Sequence, residues 1–196
     1  MRVERTLVVA ITGASGSVYG VRFLESILRH YDRIYTIVSD NARTVIRTEV
    51  GLYADADESL GTLSEKITLC SPNDLTAPPA SGSVASEGMV IIPCSMGTAG
   101  RIASGVSSDL ITRSADVCLK ENRKLIMVVR ETPFNLIHLR NLTRLAEAGA
   151  IILPASPAFY SHPKTVDDMV EFVVARAMQQ LGLVHPSAPE WHGIEE

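Results

Sequence analysis

Cysteine is scarce in this chain, tryptophan nearly absent and long apolar runs missing, and each shortage closes off a class of protein. The three cysteines, Cys70, Cys94 and Cys118, are odd in number and far apart, with neither CxxC nor zinc-like Cys/His spacing. Neither a disulfide framework nor a zinc module is indicated, and a reducing cytoplasm fits that usage. No apolar run approaches the ~18 residues of a membrane span, and the first residues enter a strand pattern with no signal-peptide pattern before it. Neither sign of charge dominates: 18 Lys and Arg against 22 Asp and Glu give a net charge of -4. The basic residues are scattered, so nucleic acid and anionic lipid are poor candidates for partners. Small-molecule chemistry is the expectation that survives.

What is present is a chain of 196 residues, 46% of them hydrophobic, enough for one sizeable core. We read one domain over 1–184 and a loosely ordered tail or arm over 185–196. Runs rich in Val and Ile recur at 6–11 (TLVVAI), 34–38 (IYTIV), 89–92 (MVII), 125–129 (LIMVV) and 150–153 (AIIL). They do not alternate with polar residues, as befits strands covered on both faces. Helical periodicity fills 18–31, 109–123, 136–148 and 165–181. The third of these puts Leu136, Leu139, Leu142 and Leu145 on one stripe, and the fourth does the same with Val166, Met169, Val170, Val173, Val174, Ala177 and Leu181. Strands alternating with helices predict a three-layer α/β/α Rossmann-like (flavodoxin-like) fold with a parallel, doubly wound sheet. Residues 55–86, polar and ending in SPNDLTAPPASGS, read as a long loop of the lid or binding type.

In such a sheet the ligand sits beyond the carboxyl ends of the strands. Following the five runs in order stand Gly13-Ala14-Ser15-Gly16, Ser39-Asp40-Asn41, Pro93-Cys94-Ser95-Met96-Gly97-Thr98, Arg130-Glu131-Thr132-Pro133, and Pro154 through Tyr160. Ser15, Ser39 and Ser95 occupy expected N-cap positions, where free N–H groups and the helix dipole favour an anion. Charges at the exit of a buried strand either pair or meet a ligand, and Arg130-Glu131 fits both. Arg176, inside the apolar VVARAM, either snorkels outward or reaches an anion. Lys120 and Arg113 share one helix, where a solvated face is the default.

Two patterns mislead. Asp167-Asp168-x-x-Glu171 has the look of a magnesium-diphosphate cluster, but these carboxylates open a helix after Thr165, where they serve the dipole. Tyr160 and Lys164 have the YxxxK spacing of short-chain dehydrogenases, yet Pro163 between them is incompatible with the shared helix face that pair needs. A dinucleotide site also wants an acidic residue closing the second strand, and here Ser39 stands there with Asp40 behind it. A hydroxyl suits a smaller ligand.

Taken together, ITGASGSVYG, NDLTAPPASGS, IIPCSMGT, SADVCLKE with VVRETPF, and PAFYSHPKTVDDMVEFVVAR resemble the UbiX/Pad-type flavin prenyltransferases, from about Leu7 to Leu183. The resemblance implies an FMN-binding subunit, usually of a homododecamer built from trimers, that needs no metal. It would transfer a dimethylallyl group from dimethylallyl monophosphate to reduced FMN, making prenylated FMN for a UbiD-type decarboxylase. It places Gly13, Ala14, Ser15, Ser39, Ser95, Met96, Gly97, Thr98 and Arg130 on FMN. Tyr160 and Arg176 would bind the prenyl phosphate, with Lys120 helping from a neighbouring subunit and Arg113 beside it. Glu131 and Ser15 would manage proton transfer. The family often has a large aromatic where this chain has Leu75. Two alternatives share the flavin fold: a cysteine decarboxylase, which needs an early catalytic His where this chain offers only His30 at a helix end, and a non-catalytic flavin-binding partner of a decarboxylase.

Overall fold

The computed structural model describes residues 4–51 and 56–185. Its elements run β1 (Thr6–Ile11), α1 (Ser17–Ile27), β2 (Arg33–Val38), α2 (Asp40–Val50), α3 (Ala56–Gly61), β3 (Ile67–Cys70), β4 (Gly88–Cys94), α4 (Met96–Ala103), α5 (Leu110–Lys120), β5 (Lys124–Val129), α6 (Leu136–Glu147), β6 (Ile151–Pro154) and α7 (Val166–Gln180). All strands are parallel in the order β3-β2-β1-β4-β5-β6. From the central β1 and β4 the chain winds outward in opposite directions, so the topological switch point lies between them.

The strand runs lack alternation because both faces are covered. Leu7, Val9 and Ile11 point to a core shared with Phe23, Leu24 and Ile27 of α1 and with Val170, Val173 and Val174 of α7. Val8 and Ala10 point the other way, toward Ala99 and Ile102 of α4 and Leu110 and Ile111 of α5. Burial on both sides is what keeps a Val/Ile-rich segment extended between two helical layers.

The structure corrects the sequence reading at three places. Residues 55–86 are not one long loop: α3 and the edge strand β3 occupy part of them, and the irregular stretch begins only after Cys70. β3 pairs on one side alone, and its four residues are mostly part-exposed, so it carries neither a long apolar run nor clean alternation. The leucine stripe of α6 is covered only in its second half: Leu136 is 60% and Leu139 48% exposed, whereas Leu142 packs against the core and Leu145 is buried in it. The helix flanks the β6 end of the sheet and leaves Leu136, Ile137 and Leu139 as an apolar surface of the kind that meets another protein. Finally, His185, read as the start of the tail, is 7% exposed with Nε2 3.0 Å from Glu171 Oε2. The remainder of the predicted tail, 186–196, lies outside the described residues. Among the described residues no helix is long and apolar enough to cross a membrane.

Candidate functional site

The carboxyl edge of the sheet is stitched into one rim. Thr12, 1% exposed at the end of β1, donates from Oγ1 to the Pro93 carbonyl at 2.8 Å and accepts on the same oxygen from Ser95 N at 2.8 Å. That hydroxyl ties the β1 and β4 loops together across the switch point. It was legible only as a polar residue closing a buried strand, and the sequence reading passed over it. Ser39 N donates to Ile11 O (3.0 Å), Arg130 N to Cys94 O (3.2 Å) and Ala155 N to Val129 O (2.9 Å), which brings the loops of β2, β5 and β6 to the same rim.

Two of the three serines expected at helix starts are N-caps. Ser39 Oγ accepts from Ala42 N at 3.2 Å, and Ser95 Oγ accepts from Thr98 N at 3.3 Å. At α4 the N–H groups of Met96 and Gly97 have no intrahelical partner. A β-carbon added at Gly97 would meet nothing within 4 Å, so the helix end is open to an incoming anion. Gly13 serves a different need: its backbone lies so close to α2 that a β-carbon would stand 2.5 Å from Asn41 Cβ.

Ser15 is not a cap, and this corrects the sequence reading. The turn needs φ +98° at Gly16, which takes the N-cap position and makes no side-chain cap bond. The start of α1 is satisfied by Glu49, from the last turn of α2. Its carboxylate accepts from Gly16 N (2.9 Å), Ser17 N (2.9 Å) and Ser17 Oγ (2.8 Å), and also from the Ser15 hydroxyl. The α1 terminus is thereby occupied by the chain's own carboxylate, whereas that of α4 stays open. Glu49 sits among exposed polar residues on a polar helix, and nothing local in the sequence signals its role.

Partial burial alone would push the Glu49 pKa up, but the Ser15 and Ser17 hydroxyls with the Ser17 and Gly16 N–H groups outweigh it and hold the carboxyl below the usual 4.5. A depressed folded-state pKa contributes stability above the unfolded value and loses it as pH falls through the folded one. Glu49→Gln should therefore lower Tm at pH 7 by about 2–4 °C, the size expected for one helix cap, and the difference should shrink as the pH falls below 4.5 and the carboxyl takes up its proton. Thermal melts of both proteins from pH 7 downward check it; a difference that does not change with pH would mean the contact is not ionic.

Arg130 and Glu131 leave β5 together but do not pair with each other. Glu131 Oε1 accepts from Thr132 N at 3.0 Å. Arg130 lies near Tyr19 of α1, whose phenol is pushed up by burial and drawn partly back by this guanidinium. Tyr19 also places its ring against Gly16, where a β-carbon would stand 2.8 Å from it. The thiol of Cys94 is no nucleophile here: burial pushes it up to about 12.

The four residues assigned to the prenyl phosphate are not gathered on this rim. Tyr160, 43% exposed, stacks edge-on against Phe172 at 6.2 Å. Arg176 points outward between buried Ala175 and Ala177, donates to Gln179 Oε1 at 2.6 Å, and lines a cavity of about 260 Å³ with β6 and Phe172. It stands about 15 Å along α7 from the helix start, near the end where Gln180 O accepts from Lys124 Nζ at 2.8 Å. Lys120 ends α5 beside the start of β5, at the opposite edge of the sheet from the rim, and pairs with Glu121. Arg113 is engaged in holding the long loop to α5, donating to Ala80 O at 3.0 Å and pairing with Asp116 at 3.0 Å. The acidic pattern on α7 is a cap, since Asp168 Oδ2 accepts from Lys164 N (2.8 Å) and Thr165 N (2.9 Å). His30 lies in the turn before β2, also away from the rim.

A parallel sheet with an open helix terminus at its switch point is the arrangement of the nucleotide-binding flavoproteins, and the flavoprotein family model matches residues 1–178. Flavin prenyltransferase UbiX of Alkalihalophilus pseudofirmus is 44% identical over 195 residues, covering 97% of this chain and 98% of that protein. AnUbiX (PadA1), crystallised with FMN and dimethylallyl pyrophosphate, superposes with a TM-score of 0.90 at 37% identity, covering 98% of this chain and 100% of the other. A dodecameric FMN-dependent UbiX-like decarboxylase from Escherichia coli O157:H7 also reaches 0.90, at 41% identity, covering 96% of this chain and 100% of the other. The chain belongs to the UbiX flavin prenyltransferases within the flavoprotein family.

Proposed function

We propose that this protein works in the cytoplasm, transferring the dimethylallyl group of dimethylallyl monophosphate to reduced FMN and supplying prenylated FMN to a UbiD-type decarboxylase. The observation that carries this reading is the open α4 terminus on a rim stitched across the switch point, in a chain whose close relatives are flavin prenyltransferases. FMN supplies the nucleophilic ring. Its phosphate suits the Met96 and Gly97 N–H groups with the Thr98 hydroxyl, and Ser95 supports them as the cap of α4. Gly13 and Ala14, Ser39 and Arg130 border the same space.

Breaking an allylic carbon–oxygen bond builds negative charge on the departing phosphate. Arg176, Lys120, Arg113 and Tyr160 stabilise that charge, and do so more in the transition state than before it. Because Arg176 and Lys120 lie apart from the rim within one chain, the complete site forms between copies in a homo-oligomer, for which a dodecamer is our reading. Ring closure releases a proton, for which Glu131 is the acceptor. The Ser15 hydroxyl, already bonded to Glu49, gives such a proton a second carboxylate to reach.

Incubated anaerobically with reduced FMN, the protein should convert dimethylallyl monophosphate to a flavin heavier by one C5H8 unit, read by mass spectrometry. The diphosphate ester in parallel reports which leaving group the cage prefers. Unchanged FMN in a saturated site, with either ester, would refute the activity.

A further inference from the structure

Arg101, in the last turn of α4, reaches back along its own helix to the open terminus. Its Nη2 lies 3.4 Å from Thr98 Oγ1, and its Nη1 pairs with Asp109 Oδ2. Asp109 is held in turn, because Oδ1 accepts from Thr112 N and Thr112 Oγ1, both at 2.8 Å, as the N-cap of α5. The guanidinium is therefore a fixed fork with one prong on a carboxylate and the other on a hydroxyl.

Thr98 is 3% exposed, its N–H is taken by Ser95 Oγ, and the two hydroxyls are 3.1 Å apart. A guanidinium donates and never accepts. Arg101 thus fills one lone pair of Thr98 and offers no place for its proton. With the Ser95 hydroxyl donating into the other lone pair, the Thr98 proton is left for an acceptor at the helix mouth beside Gly97.

We propose that Arg101 is a positioning residue for flavin binding: it orients the Thr98 hydroxyl as a donor to the FMN phosphate and is itself anchored by the α5 cap. The inference rests on the reading of α4 as the phosphate cradle.

Arg101→Lys separates this role from a structural one. Lysine keeps a cation for Asp109, but a single ammonium cannot also hold Thr98. Arg101→Lys should keep the wild-type Tm and the KM for dimethylallyl monophosphate, while FMN Kd, followed by flavin fluorescence, weakens about three- to tenfold, the loss expected for one oriented hydrogen bond. Thr98→Val should weaken FMN similarly, and Arg101→Lys added to Thr98→Val should cost nothing more. An unchanged Kd in Arg101→Lys, or an effect that adds in full to that of Thr98→Val, would overturn the proposal. The cradle reading fails separately, and takes the proposal with it, if Ser95→Ala and Thr98→Val both bind FMN like the wild type.

Discussion

Glu131→Gln is expected to bind FMN as the wild type does and to lose roughly 100-fold to 10,000-fold in turnover, the range a positioned proton acceptor supplies. The carboxylate follows directly on a buried strand and uses Oε1 to accept from Thr132 N at 3.0 Å. Glutamine keeps that bond through its own oxygen and preserves the shape of the turn. What it removes is the remaining oxygen as a base, since an amide nitrogen has no free lone pair with which to accept a proton. The loss should therefore fall on kcat, with FMN Kd and the donor KM nearly unchanged. Flavin titration and anaerobic single-turnover kinetics separate these quantities. A parallel fall in flavin affinity would show that Glu131 holds the loop and not the proton.

Arg176→Ala is expected to lower kcat/KM for the prenyl donor by about 100-fold to 1,000-fold, as losing a donor to a developing anion does elsewhere. FMN affinity should hold, because Arg176 stands near the far end of α7 from the rim. The side chain is exposed and makes one side-chain hydrogen bond, to Gln179, so its truncation should barely move Tm. The position has a sharper consequence. If one copy supplies Glu131 and another supplies Arg176, two inactive variants can repair each other. Co-assembled in equal amounts, Arg176→Ala and Glu131→Gln should regain about a quarter of wild-type activity, the fraction of sites drawing both intact residues in a symmetric assembly. A mixed oligomer that stays inactive would place both residues in one chain's site.

Much of this was open to reading along the chain. Strands buried on both faces must be apolar throughout, so β1, β2, β4, β5 and β6 announce themselves as Val/Ile runs, and parallel winding puts the segments after them on one edge. Gly13, Ser39, Ser95 through Thr98, Arg130 and Glu131 follow from that rule alone. The resemblance added the reaction to which those residue types belong.

Where a role depends on a partner distant in sequence, local pattern fails. Ser15 looks like a cap until Gly16 takes a left-handed conformation and Glu49 arrives from α2, 33 residues beyond Gly16, to fill the helix end. Thr12 looks like a strand terminus until Pro93 and Ser95 meet on it. The α6 leucines have the period of a buried stripe, but periodicity gives the width of an apolar face and not what covers it. Arg113 and Lys120 share α5, one in its first turn and the other at its last residue, and the helix runs down the sheet and carries Lys120 to the other edge.

By itself, then, the sequence determined which segments are extended or helical, that they alternate into a parallel sheet, and which polar residues crown it, because burial and periodicity act over a few neighbouring residues. Tertiary structure alone decided that the start of α4 stays open to an anion while Glu49 closes that of α1, and that Arg176 and Lys120 stand away from the rim. Those outcomes depend on which backbone N–H groups are already spent on distant oxygens and on the direction each helix runs, and neither is a local property of the chain.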